Sequence, residues 1–184
     1  MKTKVFFYLT ICSLFFLIAS CSSSKQVYSD KEMESLHTLV KSKSFEIQSD
    51  WAYPLPSNSL NSLANAGLFL PGNNANQISL IGNANFLRIK GDSIKAQLPY
   101  YGERQISSNY GSTDTGIVLD GLVEDLTMDF NEKKNRYELR FQANQAIENY
   151  QIAINIFSNK QASININSTH RTNIAYRGDI KVVE

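Results

Sequence analysis

The sequence has almost none of the side chains that hold metal ions, and its basic charge is not concentrated anywhere. Only two of its 184 residues are cysteine and two are histidine, which nearly excludes a Cys/His metal cluster. The net charge is +1 and no long run of Lys or Arg occurs, so the chain lacks the electrostatic field that proteins use to bind nucleic acid. We therefore expect no metal, no cofactor and no nucleic-acid partner.

The composition is that of one folded domain. Apolar residues make up 42% of the chain and charged residues 19%, which is too apolar for a disordered chain. Because the length is enough for one packed domain and too short for two ordinary ones, we expect a single body.

The first twenty residues have the pattern of a secretory signal. Lys2 and Lys4 precede an almost wholly apolar run over residues 5–19, and a basic start before a short apolar run is typical of export signals. The run is shorter than the ~20 apolar residues that a membrane-spanning helix needs. We expect residues 1–20 to be removed on export.

The end of this segment indicates a lipid anchor. Residues 18–21 read Ile-Ala-Ser-Cys, which resembles the bacterial lipobox. The resemblance implies cleavage before Cys21, a thioether between its thiol and a diacylglycerol, and acylation of the new amino terminus by a fatty acid such as palmitate. Two or more acyl chains anchor a protein stably where one would be marginal. An ordinary signal peptide with a chance cysteine is the alternative.

Removal of the signal changes what the mature chain can use. Cys12 is lost and Cys21 is acylated, so no free thiol remains for disulfides or thiolate chemistry. Residues 21–28 form a lipidated tether. After Cys21 the chain has neither the aspartate that resembles an inner-membrane retention signal nor the acidic pair that resembles a surface-export signal. We expect a lipoprotein of a Gram-negative outer membrane that faces the periplasm.

Residues 29–184 are expected to form one β-rich domain that begins with a helix. Ser29 and Glu32 have the spacing of a capping box. Apolar residues then recur at helical spacing: Met33, Leu36, Leu39 and Val40. We predict a helix over residues 30–41, with His37 partly buried in a structural role.

From Phe45 onward apolar and polar residues alternate, which predicts strands with one solvated face. In the first strand Phe45, Ile47 and Trp51 are expected to share a face. Short strands are predicted to follow over residues 86–90, 93–98, 117–119, 122–130, 137–141, 150–156, 162–166 and 174–182. The connection over residues 57–76 is rich in Asn and Ser and is predicted to be irregular, with residues 68–70 holding it to the core.

The predicted strands are consecutive and joined by short turns, such as Gly91-Asp92, so a parallel sheet with long crossovers is excluded. We predict an all-β fold, in which an antiparallel meander of about eight to ten strands follows the helix. Closure removes the two edges of a meander. A small lipocalin-like barrel is therefore preferred to a β-sandwich, although the sequence leaves both open. Such a barrel holds one ligand or is filled by its own side chains.

Three segments resemble one known family. They are residues 85–92, residues 98–102, which read Leu-Pro-Tyr-Tyr-Gly, and residues 171–178. The pattern is similar to that of DUF4251, a domain of unknown function found in Bacteroidota lipoproteins. The resemblance covers most of the mature chain and matches least over residues 57–76. It implies a Bacteroidota-type envelope and supplies no catalytic residue, substrate or cofactor.

The tyrosine-rich turn lies beside a long loop over residues 103–115, and loops on a rigid scaffold often carry binding residues. Our candidate ligand contacts at the rim of the barrel are Tyr100, Tyr101, Arg104 and Arg171.

In addition, Asp92-Ser93-Ile94 resembles an O-glycosylation site of exported Bacteroidota proteins, which makes Ser93 a candidate for modification.

Catalytic patterns are weak. Asp114-Thr115-Gly116 is the tripeptide of aspartic proteases, but its flanking residues do not fit. A Ser-His-acid triad would need His37 or His170, and neither has an evident partner. We expect no catalytic residue.

The first hypothesis for the function is a binding module for a small or peptide-like ligand. The alternatives are a structural lipoprotein that docks an envelope partner and, with least support, a hydrolase.

We expect Cys21→Ser to abolish membrane anchoring, because the lipobox position then has no thiol to form the thioether. Labelling cells with radioactive palmitate and sedimenting their envelopes measures both acylation and attachment. Cys12→Ser is the matched control and should label like the wild type, since Cys12 leaves with the signal. A Cys21→Ser protein that still took up label would contradict the lipid anchor.

Overall fold

The computed structural model describes residues 30–106 and 116–183. These contain two helices, α1 (Asp30–Lys41) and α2 (Asn58–Asn65), and nine strands: β1 (Ser44–Pro54), β2 (Ile78–Ser79), β3 (Phe86–Lys90), β4 (Ser93–Leu98), β5 (Ile117–Asn131), β6 (Arg136–Gln145), β7 (Glu148–Phe157), β8 (Gln161–Ser168) and β9 (Ile174–Val182). The signal, Cys21 with its tether, and Asp114 lie outside the described residues. Neither helix is long and apolar enough to span a bilayer.

Eight of the strands close into an antiparallel barrel. Strands β3 to β9 pair in sequence order, and β1 joins the two ends by pairing with β3 and with β9. The short strand β2 adds to β1 outside this ring. The preference for a barrel over a sandwich is thus confirmed, and closure leaves the eight strands without a free edge.

The interior of the barrel is filled by apolar side chains. Alternate residues of each strand face inward and join one core cluster, as β7 illustrates with Tyr150, Ile152, Ile154 and Ile156. Helix α1 adds Leu36, Leu39 and Val40 to this cluster. Its His37 is partly buried, as predicted, and Nδ1 of its ring lies 2.6 Å from the Tyr137 hydroxyl at the start of β6. The helix therefore packs at the end of the barrel that carries the β5–β6 turn.

The prediction that Trp51 shares a face with Phe45 and Ile47 is wrong. The pairing of β1 with β9 shifts between Ser49 and Trp51, so Asp50 is an extra residue in β1. Such a bulge reverses the facing of the residues that follow it. Trp51 consequently lies on the outer surface.

A buried asparagine supports this bulge. The side chain of Asn85 accepts from the Ser49 backbone amide and donates to the Ser49 carbonyl oxygen, at 2.9 Å in both cases. Because backbone groups inside a protein need partners, Asn85 satisfies the donor and the acceptor that the bulge removes from the regular ladder.

The connection between β1 and β3 also differs from the expectation. It contains helix α2, which begins after Ser57, whose hydroxyl accepts from the Leu60 amide at 3.2 Å. Of residues 68–70, expected to hold the segment to the core, Leu68 and Leu70 are 69% and 74% exposed and only Phe69 is partly buried. The buried apolar residues of the segment are instead Leu60, Ala75, Ile78 and Leu80. The cause is that β2 and the Leu80 amide bond to the backbone of β1, which brings these residues to the barrel.

Residues 117–131 form one strand where two were expected. A bulge between Glu124 and Thr127 lets β5 bend without ending, and Asp125 there has a φ of 53°. The alternation predicted within it holds, since Leu126, Met128 and Phe130 pack against the core.

Gly178 permits the closest approach of β9 to β1. It pairs with Ser49 at the bulge, and a Cβ added to Gly178 would overlap the Gln48 carbonyl oxygen and lie 2.5 Å from the Ser49 Cα.

We expect Gly178→Ala to lower the free energy of unfolding by about 3 kcal/mol, because the overlapping atoms are backbone and the strands must separate. Urea denaturation measures the loss.

Gly121→Ala is the matched control, since an added Cβ at Gly121 in β5 would have no neighbour within 4 Å. It should change the stability by less than about 0.5 kcal/mol. Equal effects of the two substitutions would contradict the importance of this approach.

Candidate functional site

Three of the four rim candidates come together at the end of the barrel opposite α1. The Tyr100 hydroxyl lies 2.8 Å from Thr172 Oγ1 and 3.0 Å from the carbonyl oxygens of Glu103 and Thr172. The Arg171 guanidinium lies over the Tyr100 ring, 5.2 Å from its centre. Arg104 and Arg171 form an isolated antiparallel bridge. Tyr100 stands beyond Pro99, which cannot donate to the ladder and lies after the end of β4.

Arg171 forms a buried ion pair with Glu148. The Arg171 Nε lies 2.9 Å from Glu148 Oε1, and the two side chains are 7% and 12% exposed. Another guanidinium nitrogen donates to the Gly116 carbonyl oxygen at 2.7 Å. Ser168 and Tyr150 also hydrogen-bond to the Glu148 carboxylate. The pair therefore ties the start of β5 to β7 and to the segment before β9.

Burial and neighbouring groups determine which side chains at this end of the barrel are charged. Burial opposes ionisation of Glu148, but hydrogen bonds from Ser168, Tyr150 and Arg171 outweigh it and hold the pKa below its usual range. Burial raises the pKa values of Tyr150 and Tyr176 well above that of a free tyrosine. At neutral pH the carboxylate is charged and the phenols are neutral, so none of these groups titrates near pH 7.

The other predicted sites lie apart from this cluster. Tyr101 is partly buried against the core, and burial raises its pKa. Ser93 is exposed at the first position of β4, next to the turn where Asp92 pairs with Lys43 at 2.9 Å. An exposed hydroxyl at a hairpin is accessible to a modifying enzyme.

Neither histidine joins a Ser-His-acid triad among residues 30–106 and 116–183. His37 bonds to Tyr137, while His170 lies 3.2 Å from Thr169 Oγ1 at the opposite end of the barrel. Within this part of the chain neither histidine pairs with a carboxylate, and no group of three possible metal ligands occurs. Glu148 was not singled out from the sequence, since it lies 23 residues from Arg171 and has no local signal.

The outer surface carries a groove that the sequence did not reveal. It has a volume of about 830 Å³ and crosses the outer faces of β6 to β9 and of β1. Strand pairing places Asn155, Ser163, Arg177 and Trp51 side by side across β7, β8, β9 and β1. We call this depression the outer groove; its lining includes Asp50, Trp51, Tyr53, Asn155, Phe157, Ser163, Arg136, Arg177 and Asp179.

Aromatic rings and guanidinium groups stand together at both sides of the outer groove. The Arg177 guanidinium lies 5.2 Å from the centre of the Tyr53 ring on the β1 side. On the other side, Arg136 lies 5.9 Å from the centre of the Phe157 ring. Glu138 also holds Arg136, at 2.7 Å, and the hydrogen bond from Arg136 lowers the pKa of this carboxyl. Each guanidinium group therefore lies beside an aromatic ring, and Arg136 is also held by an ion pair.

Several polar groups of the outer groove have no hydrogen-bond partner in the described part of the chain. They are the indole nitrogen of Trp51, the Tyr53 hydroxyl, the Asn155 amide and the Ser163 hydroxyl, all in partly buried residues. Such groups are free to bond to water or to a ligand. This distinguishes the outer groove from the Tyr100–Arg171 cluster, whose polar atoms bond to one another.

Comparison with known proteins adds a family and a fold. The family model described as Domain of unknown function (DUF4251) matches residues 28–180. Among solved structures, the chain is similar to the crystal structure of a DUF4251 family protein from Bacteroides eggerthii DSM 20697. The identity is 12% and the TM-score 0.55, over 83% of this chain and 88% of that chain. At this identity the similarity shows the fold alone. No curated protein matches the sequence.

We expect Glu148→Gln to lower the free energy of unfolding at pH 7 by about 3 kcal/mol, because the buried Arg171 charge loses its partner. A carboxyl whose pKa falls on folding stabilises the protein above its unfolded pKa of about 4.3 and stops doing so as the pH drops through the lower folded value. The variant should therefore lose less stability than the wild type between about pH 5 and pH 2. Urea denaturation at several pH values measures both effects.

Asp120→Asn provides the control for a lost carboxylate. Asp120 pairs with Lys95 at 3.1 Å, but the two side chains are 67% and 59% exposed. The substitution should change the stability by less than about 0.5 kcal/mol. An acid dependence that Glu148→Gln leaves unaltered would contradict the stabilising role of the buried pair.

Proposed function

Since the chain belongs to the DUF4251 family, a domain of unknown function, we propose on physical grounds that it is a non-enzymatic binding module of the cell envelope. In this proposal the acylated Cys21 holds the protein to the periplasmic face of the outer membrane, and the barrel presents the outer groove to a small or peptide-like ligand. The export signal and lipobox pattern support the location.

The outer groove is the observation that carries this proposal. Ligand sites are concave, largely preformed and lined by aromatic side chains with a few polar groups that orient the ligand. The outer groove has three such rings, Trp51, Tyr53 and Phe157, and unpartnered polar atoms stand between them. Its floor is backbone held on both sides by strand pairing, so binding orders little of the protein.

The rim candidates are better suited to a structural role in this proposal. Arg171 and Tyr100 hold both ends of the loop between β4 and β5, through Gly116 and Glu103. Their polar atoms would have to leave protein partners in order to reach a ligand, and breaking a buried ion pair is strongly unfavourable. We therefore assign Arg171 and Tyr100 the role of holding the ends of this loop, and we take the outer groove as the ligand site.

Docking of an envelope partner is the second candidate function. It is favoured by large apolar side chains that stand in solvent on the segment between β1 and β3: Leu55, Leu68, Leu70 and Ile81. Exposed apolar groups that form a contiguous patch mark interaction surfaces. In-cell crosslinking from this segment that recovers one specific protein would favour this function over ligand binding.

Trp51 is the only tryptophan of the sequence, so intrinsic fluorescence reports on the outer groove directly. We expect the purified full-length lipoprotein in detergent to show a saturable change in emission with at least one of two probes. These are a pool of tripeptides and a set of linear neutral oligosaccharides, each titrated to about ten times a Kd of ~1 mM.

Ser163→Phe should abolish the change, because it fills the floor of the outer groove. The matched control is Gln97→Phe, which adds the same ring at an exposed position of β4, across the barrel from β8. Thermal unfolding of both variants verifies that each is folded. The absence of a saturable change with either probe would contradict the proposed function.

A further inference from the structure

We propose that the ligand of the outer groove is a neutral oligosaccharide. This inference rests on the proposed function, because it names the ligand class of the same site. It is carried by the rings of the outer groove, the mixture of its polar groups, its small net charge, the pairing of its strands and its length.

The floor of the outer groove is made of small side chains and its sides of large ones. Ser163 of β8 and Gly178 of β9 lie between Trp51 on one side and Phe157 on the other. Trp51 is partly buried and lines the outer groove, and no ring or cation stacks on it within the described residues. One face of a sugar ring consists of C–H groups and packs flat on an aromatic ring, as other planar or apolar faces do.

The polar groups of the outer groove include both donors and acceptors. The Trp51 indole and the Arg177 guanidinium donate, the Asp50 carboxylate accepts, and the Asn155 amide and the Ser163 hydroxyl do both. Sugar hydroxyls also donate and accept, and the equatorial ones extend outward from the ring edge. A ligand stacked on Trp51 would thus point its hydroxyls at these groups.

The charges at the outer groove nearly cancel, which favours a neutral ligand over a highly charged one. Glu138 neutralises Arg136, at 2.7 Å, and lies 4.0 Å from Lys134. Asp50 and Asp179 offset Arg177 and Lys133, so four cations stand against three anions and the net charge is about +1. A polyanion such as nucleic acid would need a strongly positive surface, and its affinity would fall steeply with salt.

Strand pairing disfavours an extended peptide. Peptides are commonly recognised by adding a strand to a free sheet edge. Strands β7, β8 and β9 are each paired on both sides, and so is the part of β1 that carries Trp51. No edge is therefore offered along these strands, and recognition must come from side chains, which suits a ligand without a backbone ladder.

A second depression lies next to the outer groove along β7 and β8, which favours an oligomer over a single sugar. This depression has a volume of about 440 Å³, and its lining includes Gln142, Gln151, Ala153, Asn165 and Asn167 as well as the oppositely charged Asp125 and Arg140. On β7 it follows Asn155 directly, since Ala153 and Gln151 are the next residues on the same face. Six residues of strand separate Phe157 from Gln151, a track of roughly 20 Å with amide groups along it.

The test uses full-length protein and a panel of linear neutral hexasaccharides: the cello-, malto-, xylo-, laminari- and manno- series. We expect at least one to give a saturable change in Trp51 emission with a Kd of ~1 mM or tighter. The Kd should change less than about twofold between low and high salt, because few counterions are released. The matching monosaccharide should bind about tenfold more weakly, because it spans only part of the track.

The affinities of substituted proteins test which residues contact the ligand. Calorimetry should show a loss of about tenfold or more in affinity for Trp51→Ala and for Ser163→Phe, and no change for Gln97→Phe. Asn165→Ala, in the second depression, should weaken the hexasaccharide and leave the monosaccharide unaffected.

The outcomes separate the ligand class from the function. If the tripeptide pool saturates the Trp51 signal and no hexasaccharide does, the oligosaccharide inference is overturned while the binding module stands. If neither class gives a saturable signal, both fail. Binding that disappears at high salt would also overturn the neutral ligand, and equal affinities for monosaccharide and hexasaccharide would overturn the extended track.

Discussion

The close approach of β9 to β1 at Gly178 is the constraint on which the rest of this structure depends. Closing a meander requires its first and last strands to meet in register, and here they meet at a bulge where β1 carries one extra residue. Gly178 leaves room for the bulge, and the Asn85 side chain satisfies its backbone. The same extra residue turns Trp51 from the core to the surface. Barrel closure and the aromatic side of the outer groove therefore have one cause.

The two ends of the barrel carry different kinds of contact. Helix α1 packs at one end with apolar side chains and a single histidine–tyrosine contact. Among the described residues at the other end, polar groups predominate, and the buried Arg171–Glu148 pair bonds to the Gly116 carbonyl oxygen and to Ser168. Because apolar side chains fill the interior, we place the ligand on the outer surface, unlike the lipocalin arrangement that the sequence suggested.

The sequence pattern located the rim cluster in part. Tyr100, Arg104 and Arg171 were singled out because they flank a long loop and a predicted turn, and the structure brings all three together. Their partner Glu148 could not be found in this way, because a lone acidic residue at the start of a strand looks like any solvated one. The outer groove was missed for a different reason. Its residues are spread over five strands and share no local spacing.

What the sequence alone determined is the set of features encoded by near neighbours along the chain. The alternation of apolar and polar residues placed the inward faces of β3, β4, β6, β7, β8 and β9, and the spacing of apolar residues placed helix α1 at residues 30–41. Side-chain direction has a period of two in strands and about 3.6 in helices, so a few consecutive residues suffice. The closure, the bulge and the outer groove were decided only by the tertiary structure. They depend on pairs such as Ser49 with Gly178 and Ser163 with Arg177, which meet because separate strands come into register, and no local pattern specifies that register.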